Sequence, residues 1–140
     1  TWKKITEKGG KKSAAVNLRT AIKKGGLNNG EQVFEKLMRM KKKGSGIYFD
    51  EKEFNTLGYL FLFNEKVKEA IFVFGKNVDM YPKSWNVYDS LGEGCLAAGK
   101  YDKAEKLYRK SLSVNPDNEN GRKMLAMIEK LRAADMAGKQ

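Results

Sequence analysis

A chain of 140 residues, 41% hydrophobic and 32% charged, is long enough for one modest core and too apolar to stay disordered. It holds no histidine and a single cysteine, Cys95, which excludes Ser–His and Cys–His nucleophile pairs, histidine metal sites and an internal disulfide framework. The net charge of +11 is uneven: residues 1–43 carry 13 Lys/Arg against 3 acids, whereas residues 44–140 carry 15 against 14.

Residues 1–12 read as a linker or tail. Thr1-Trp2-Lys3-Lys4 leads into no apolar stretch of the kind a signal peptide needs. With no initiator methionine, the chain is expected to be a processed product or a piece of a longer protein. No apolar run approaches the roughly 18 residues of a membrane-spanning helix, so a soluble module is expected.

Ser13 to Lys24 has the spacing of an amphipathic helix, with Val16, Leu18, Ala21 and Ile22 on its apolar side. Gly25-Gly26 breaks it. Residues 31–43 give a second helix, with Val33, Phe34, Leu37, Met38 and Met40, stopped by Gly44-Ser45-Gly46. Together residues 13–46 read as a degenerate helix hairpin. Lys41-Lys42-Lys43 falls where a helix dipole favours cations. Lys11-Lys12 is a second basic cluster, but no aromatics interleave with these lysines, which argues against a nucleic-acid partner. Lys8-Gly9-Gly10-Lys11 is too short for a phosphate loop.

From residue 47 the pattern sharpens. Phe54, Leu57, Phe61 and Leu62 recur at helical spacing, with Asp50 ahead of them and Glu53 three residues later, a capping-box arrangement. Laying 51–84 over 85–118, an offset of 34, matches Leu57 to Leu91, Gly58 to Gly92, Leu62 to Leu96 and Lys66 to Lys100. The same offset matches Ala70 to Ala104, Lys76 to Lys110 and Pro82 to Pro116, and puts Phe74 on Tyr108. Each unit therefore reads as helix, tight turn, helix, stop, with turns near Asn64 and Gly99. The two helical glycines suit a close approach of the second helix, with Ala70 and Ala104 as the small partners. Pro82 and Pro116 end the second helices. The boundaries drawn are a unit over 47–84, a unit over 85–118, a capping helix over 119–133 and a tail over 134–140.

The pattern aromatic–x2–Leu-Gly–x2–large, then Ala–x3–aromatic, then Pro resembles the tetratricopeptide repeat. It runs Phe54, Leu57-Gly58, Phe61, Ala70, Phe74, Pro82 in the first unit. In the second it runs Tyr88, Leu91-Gly92, Cys95, Ala104, Tyr108, Pro116. Leu125-Ala126 extends it weakly into 119–132. Asn77 and Ser111 depart from it, standing where the family usually has a second alanine, and Cys95 replaces a usual tyrosine. The resemblance implies an all-α, right-handed solenoid of antiparallel helix hairpins with a C-terminal capping helix. It implies a protein–protein interaction scaffold with no catalytic activity, cofactor or metal of its own.

In this family the first helices line a groove, which here implies Asn55, Tyr59 and Phe63, then Asn86, Asp89 and Glu93, then Asn120 and Lys123 as protein-binding residues. Asp89 with Glu93 could attract a cation, or be a solvated face or pair with neighbouring lysines. Chaperone-binding members clamp a carboxylate with Lys, Arg and Asn. The matching places here hold Asn55, Tyr59, Asn86 and Ser90, so that partner is not expected. Cys95 and Trp85 are expected to pack, Cys95 as a small core residue and Trp85 at a junction between units. Leu60-Phe61-Leu62-Phe63 is expected to be buried between helices.

The strings Phe54-Asn55-Thr56-Leu57-Gly58-Tyr59, Ser84 to Glu93 and Asn115-Pro116-Asp117-Asn118 further resemble repeat modules that follow the catalytic domain of bacterial serine hydrolases of the β-lactamase-like and esterase type. That resemblance implies an accessory or dimerisation role beside a covalently attached hydrolase domain absent from this chain. The partner is thus a protein or peptide, or that domain, with self-association open. The compartment is likewise open: cytoplasmic, or periplasmic or extracellular for a piece of an exported hydrolase.

Overall fold

The computed structural model describes residues 7–8, 10–44 and 46–139. The reading of residues 1–6 and Gly9 as tail, of Ser45 in the glycine stop, and of Gln140 falls outside them. Among the described residues, six helices carry the fold: α1 (Ala14–Lys42), α2 (Glu51–Phe63), α3 (Val67–Met80), α4 (Trp85–Ala97), α5 (Tyr101–Val114) and α6 (Glu119–Gly138). The architecture is an all-α, tetratricopeptide-like helical repeat. Two compact units divide within α2, residues 1–57 and 58–140.

In the first unit, α1 is two helical arms separated at Gly26, whose φ of 72° and ψ of −165° leave the helical region. Glycine reaches that backbone state at little cost. The second arm starts directly after Gly26 rather than at residue 31. Asn29 there donates its side-chain amide to the Ala21 carbonyl at 2.8 Å, tying the arms together.

A small three-stranded sheet accompanies the helices. Strand β1 (Glu7–Lys8) pairs antiparallel with β2 (Lys11–Ser13), and β2 pairs parallel with β3 (Ile47–Tyr48). Residues 11–12, read as tail, are thus strand. The buried Ser13 caps α1 by accepting from the Val16 amide at 3.2 Å. Its hydroxyl donates to Glu53 Oε1 at 2.7 Å, and the Tyr48 hydroxyl donates to the same oxygen at 3.2 Å. The capping box is therefore only half made. Asp50 Oδ1 does accept from the Lys52 and Glu53 amides at 2.8 and 3.2 Å. The Glu53 carboxylate, however, faces Ser13 and Tyr48. Phe34, Phe49 and Phe54 form the unit's aromatic cluster, with centroids 6.0–6.4 Å apart.

In the second unit, successive helices α3 to α6 pack against their neighbours. The 34-residue register repeats bond for bond. The Lys66 amide donates to the Phe61 carbonyl at 2.9 Å, as Lys100 does to Cys95. Tyr81 donates to Asn77 at 2.9 Å, as Asn115 does to Ser111. Each turn uses a left-handed residue, Glu65 at φ 61° and Gly99 at φ 73°. These bonds satisfy the carbonyls that a helix C-terminus leaves open.

The second helix of each hairpin comes close at its glycine. Phe74 carbons stand where a Cβ on Gly58 would be, and Tyr108 ring carbons stand 3.0 Å from a Cβ on Gly92. The aromatic rings are the nearest neighbours at both glycines. The two alanines are fully buried beside them.

Helix α6 runs to Gly138, beyond the 133 expected for a cap, because Ala133-Ala134-Asp135-Met136-Ala137 holds no breaker. Phe61 is buried, Leu60 and Leu62 are half-buried, and Phe63 is 77% exposed, so the apolar run is not uniformly covered. Trp85 is 36% exposed, and Cys95 is fully buried.

Candidate functional site

The residues of the second unit expected to line a groove sort into two hydrogen-bonded groups and a few separate side chains. Tyr59 and Glu93 come first. They lie at the same register position of successive repeats, and the Tyr59 hydroxyl donates to Glu93 Oε2 at 2.6 Å. Burial raises the Tyr59 pKa, and the Glu93 hydrogen bond raises it further, so the phenol stays protonated and remains a donor. The Tyr59 ring meets Phe74 edge-on at 5.0 Å and Phe63 at 5.7 Å.

Asp89 is not an open groove acid. It is 7% exposed, and both carboxylate oxygens are taken by amides. Oδ1 accepts from Asn118 at 2.8 Å and Oδ2 from Asn120 at 3.0 Å. Asn118 is itself buried and works in three directions. Its Oδ1 caps α6 by accepting from the Gly121 amide at 3.2 Å, while its amide also donates to Ser111 Oγ at 2.9 Å. Ser111 Oγ in turn donates to the Trp85 carbonyl at 2.9 Å. One network therefore fastens α4, α5 and α6. A carboxylate buried with its charge-assisted hydrogen bonds satisfied is a structural node. It is therefore not a solvated face and pairs with amides rather than with lysines.

Asn86 is half-buried on α4, and Lys123 is exposed on α6. Asn120 is exposed but spends its amide on Asp89. Asn55 is half-buried in the first unit. The structure thus joins Tyr59 with Phe63 and Glu93, and Asp89 with Asn120. It leaves Asn86 and Lys123 as separate points on the same unit. Sequence reasoning missed Asn118, the amide that organises the node. Its signal was present, since an asparagine just ahead of a helical run is a preferred N-cap.

On the other side of α5, Arg132 of α6 donates to Glu105 Oε2 at 2.6 Å and also reaches Asp102. Arg109 donates to Glu105 Oε1 at 2.9 Å. The hydrogen bond from Arg132, then that from Arg109, holds the Glu105 carboxyl below its ordinary range.

Among the described residues, no group of three or more His, Cys, Asp or Glu could hold a metal ion, and no helix is long and apolar enough to cross a membrane. Against known proteins, no curated protein matches the chain, and the likeness to modules of serine hydrolases finds no support there. Residues 85–118, spanning α4, α5 and the Pro116 stop, match the family model of the tetratricopeptide repeat, which supports the tetratricopeptide repeat family.

Proposed function

We propose that this chain is a protein-interaction scaffold that receives its partner along the first helices of its repeats. The observation that carries the reading is the bond-for-bond recurrence of the hairpin across Phe61–Lys66 and Cys95–Lys100. A rigid recurrence of this kind presents side chains at a fixed interval, which suits an extended partner. Tyr59, Phe63 and Glu93 form a contact surface held in place by the Tyr59–Glu93 bond. Asn86 and Lys123 are its polar contacts. Asp89 and Asn120 support that surface from within rather than meeting the partner.

The test uses the full chain as bait in a lysate of its source cells, beside the Asn86→Ala/Lys123→Ala variant and the Phe63→Ala variant. A partner that the wild type retains and both variants lose, with melting curves unchanged, is the expected result. Equal retention by all three would overturn the assignment of this surface. A serine hydrolase accessory role is the alternative, and it has its own check. A Ser–x–x–Lys or Gly–x–Ser–x–Gly motif upstream in the same coding sequence would favour it over a free scaffold.

A further inference from the structure

The two arms of α1 enclose a groove that the repeat reading does not use. It is open, with a volume of about 500 Å3, and lies wholly within the first unit. Its floor is apolar, built from Val16 on the first arm, Val33 and Met40 on the second, and Ile47 on β3. Each of these is only half-buried. Its rim carries Lys12, Lys24 and Lys36, all exposed, and the lining contains no acidic residue.

We infer that this groove is a docking site for an acidic amphipathic helix of a partner protein. Three observations select that occupant. First, the lining comes from two helical stripes, one around Val16, Thr20 and Lys24 and the other around Asn29, Val33 and Met40. Antiparallel helices that present such stripes leave a trough into which a third helix packs at about 8–10 Å.

Second, an extended peptide would need partners for its own backbone, and the side-chain amides of the lining each already spend an N–H within the chain. Asn17 donates to the Ser13 carbonyl at 2.8 Å and Asn29 to the Ala21 carbonyl at 2.8 Å. A helix brings its backbone already satisfied and needs only an apolar stripe to bury. Third, three lysines around an apolar floor complement carboxylates that flank such a stripe. The chain's own residues 1–12, with five lysines and one glutamate, do not complement that charge.

The experiment uses the full chain and a fluorescein-labelled peptide of about 14 residues, roughly four helical turns. The peptide is built from leucine and glutamate, with leucines three and four apart. Its composition-matched scramble and its lysine-for-glutamate counterpart serve as controls, as do phosphatidylglycerol vesicles. The expected result is saturable binding of the Leu/Glu helix alone, weakening as salt rises. Lys24→Glu/Lys36→Glu should weaken it about tenfold or more, whereas Lys130→Glu, an exposed position in the second unit, should leave it unchanged.

Circular-dichroism melts check that the variants fold, and Lys24→Gln/Lys36→Gln gives a milder pair should the double glutamate not fold. Absence of binding, equal binding of the scramble, or insensitivity to both Lys24/Lys36 pairs would each overturn the inference. So would vesicle binding lost in those variants while the peptide is ignored, since that would assign the groove to a lipid surface. Because the Asn86/Lys123 surface lies in the other unit, its failure and the failure of this groove are read separately.

Discussion

The ring of Phe74 fills the space that a Cβ on Gly58 would occupy, with Cε1, Cδ1 and Cζ all inside contact distance. Tyr108 stands over Gly92 in the same way, but at 3.0 Å. Both rings are almost fully buried and have no room to retreat. Overpacking of this kind costs about 1–3 kcal/mol. Gly58→Ala should therefore lower stability by that amount, and Gly92→Ala by less. Urea unfolding followed by circular dichroism ranks the two, and equal midpoints would contradict the difference in space.

Asp89 should behave as a fold residue. Asp89→Ala leaves the buried Asn118 amide, and the Asn120 amide, without the carboxylate they share. Stranding buried partners costs about 1–3 kcal/mol. Asn120→Ala removes the exposed partner only and should cost less. Unfolding midpoints of the two single variants test that order.

Glu65 holds φ at 61° where the next repeat has Gly99 at 73°. A side chain in the left-handed region costs roughly 1 kcal/mol. Glu65→Gly should raise stability, by less than that, because glycine also gains freedom in the unfolded chain. A lowered thermal midpoint would show that the Glu65 side chain contributes more than its backbone costs.

The Glu105 carboxyl is depressed by Arg132 first and Arg109 second. A depressed folded pKa means that the unfolded chain binds the proton more tightly. The contribution is then complete above the ordinary glutamate value of about 4.3 and fades as pH falls through the folded value. The urea midpoint of the wild type should drop through that acid window more steeply than that of Glu105→Gln, and parallel profiles would disprove the coupling.

Cys95 is fully buried, and burial raises its thiol pKa against the opposing pull of Lys103 and Lys100. Thiolate is the reactive form. Iodoacetamide at mildly alkaline pH should label Cys95 only in denaturant. Rapid labelling of the folded chain would show that α4 opens locally.

The repeat was legible because Leu57, Gly58, Ala70 and Pro82 each answer a local steric demand that returns 34 residues later. Asp50 was legible as a cap for the same reason, since its bonds reach only two and three residues ahead. Pairings across long separations were not. Glu53 turns to Ser13, 40 residues away, and Asp89 to Asn118, 29 residues away. A helical wheel places Asp89 among outward positions, and nothing in that periodicity announces a loop asparagine coming to cover it. The β3 pairing with β2 was hidden likewise, since Ile47-Tyr48 is too short a stretch to alternate.

The bond between Tyr59 and Glu93 makes the order of the hairpins non-interchangeable. Equivalent sites carry a phenol on one side and an acid on the other, so each hairpin has a distinct upstream and downstream edge. Tandem copies of the 85–118 hairpin alone would set two carboxylates face to face at that site, whereas the native pair sets a phenol donor against an acid acceptor. One pair of side chains thereby fixes which hairpin precedes the other.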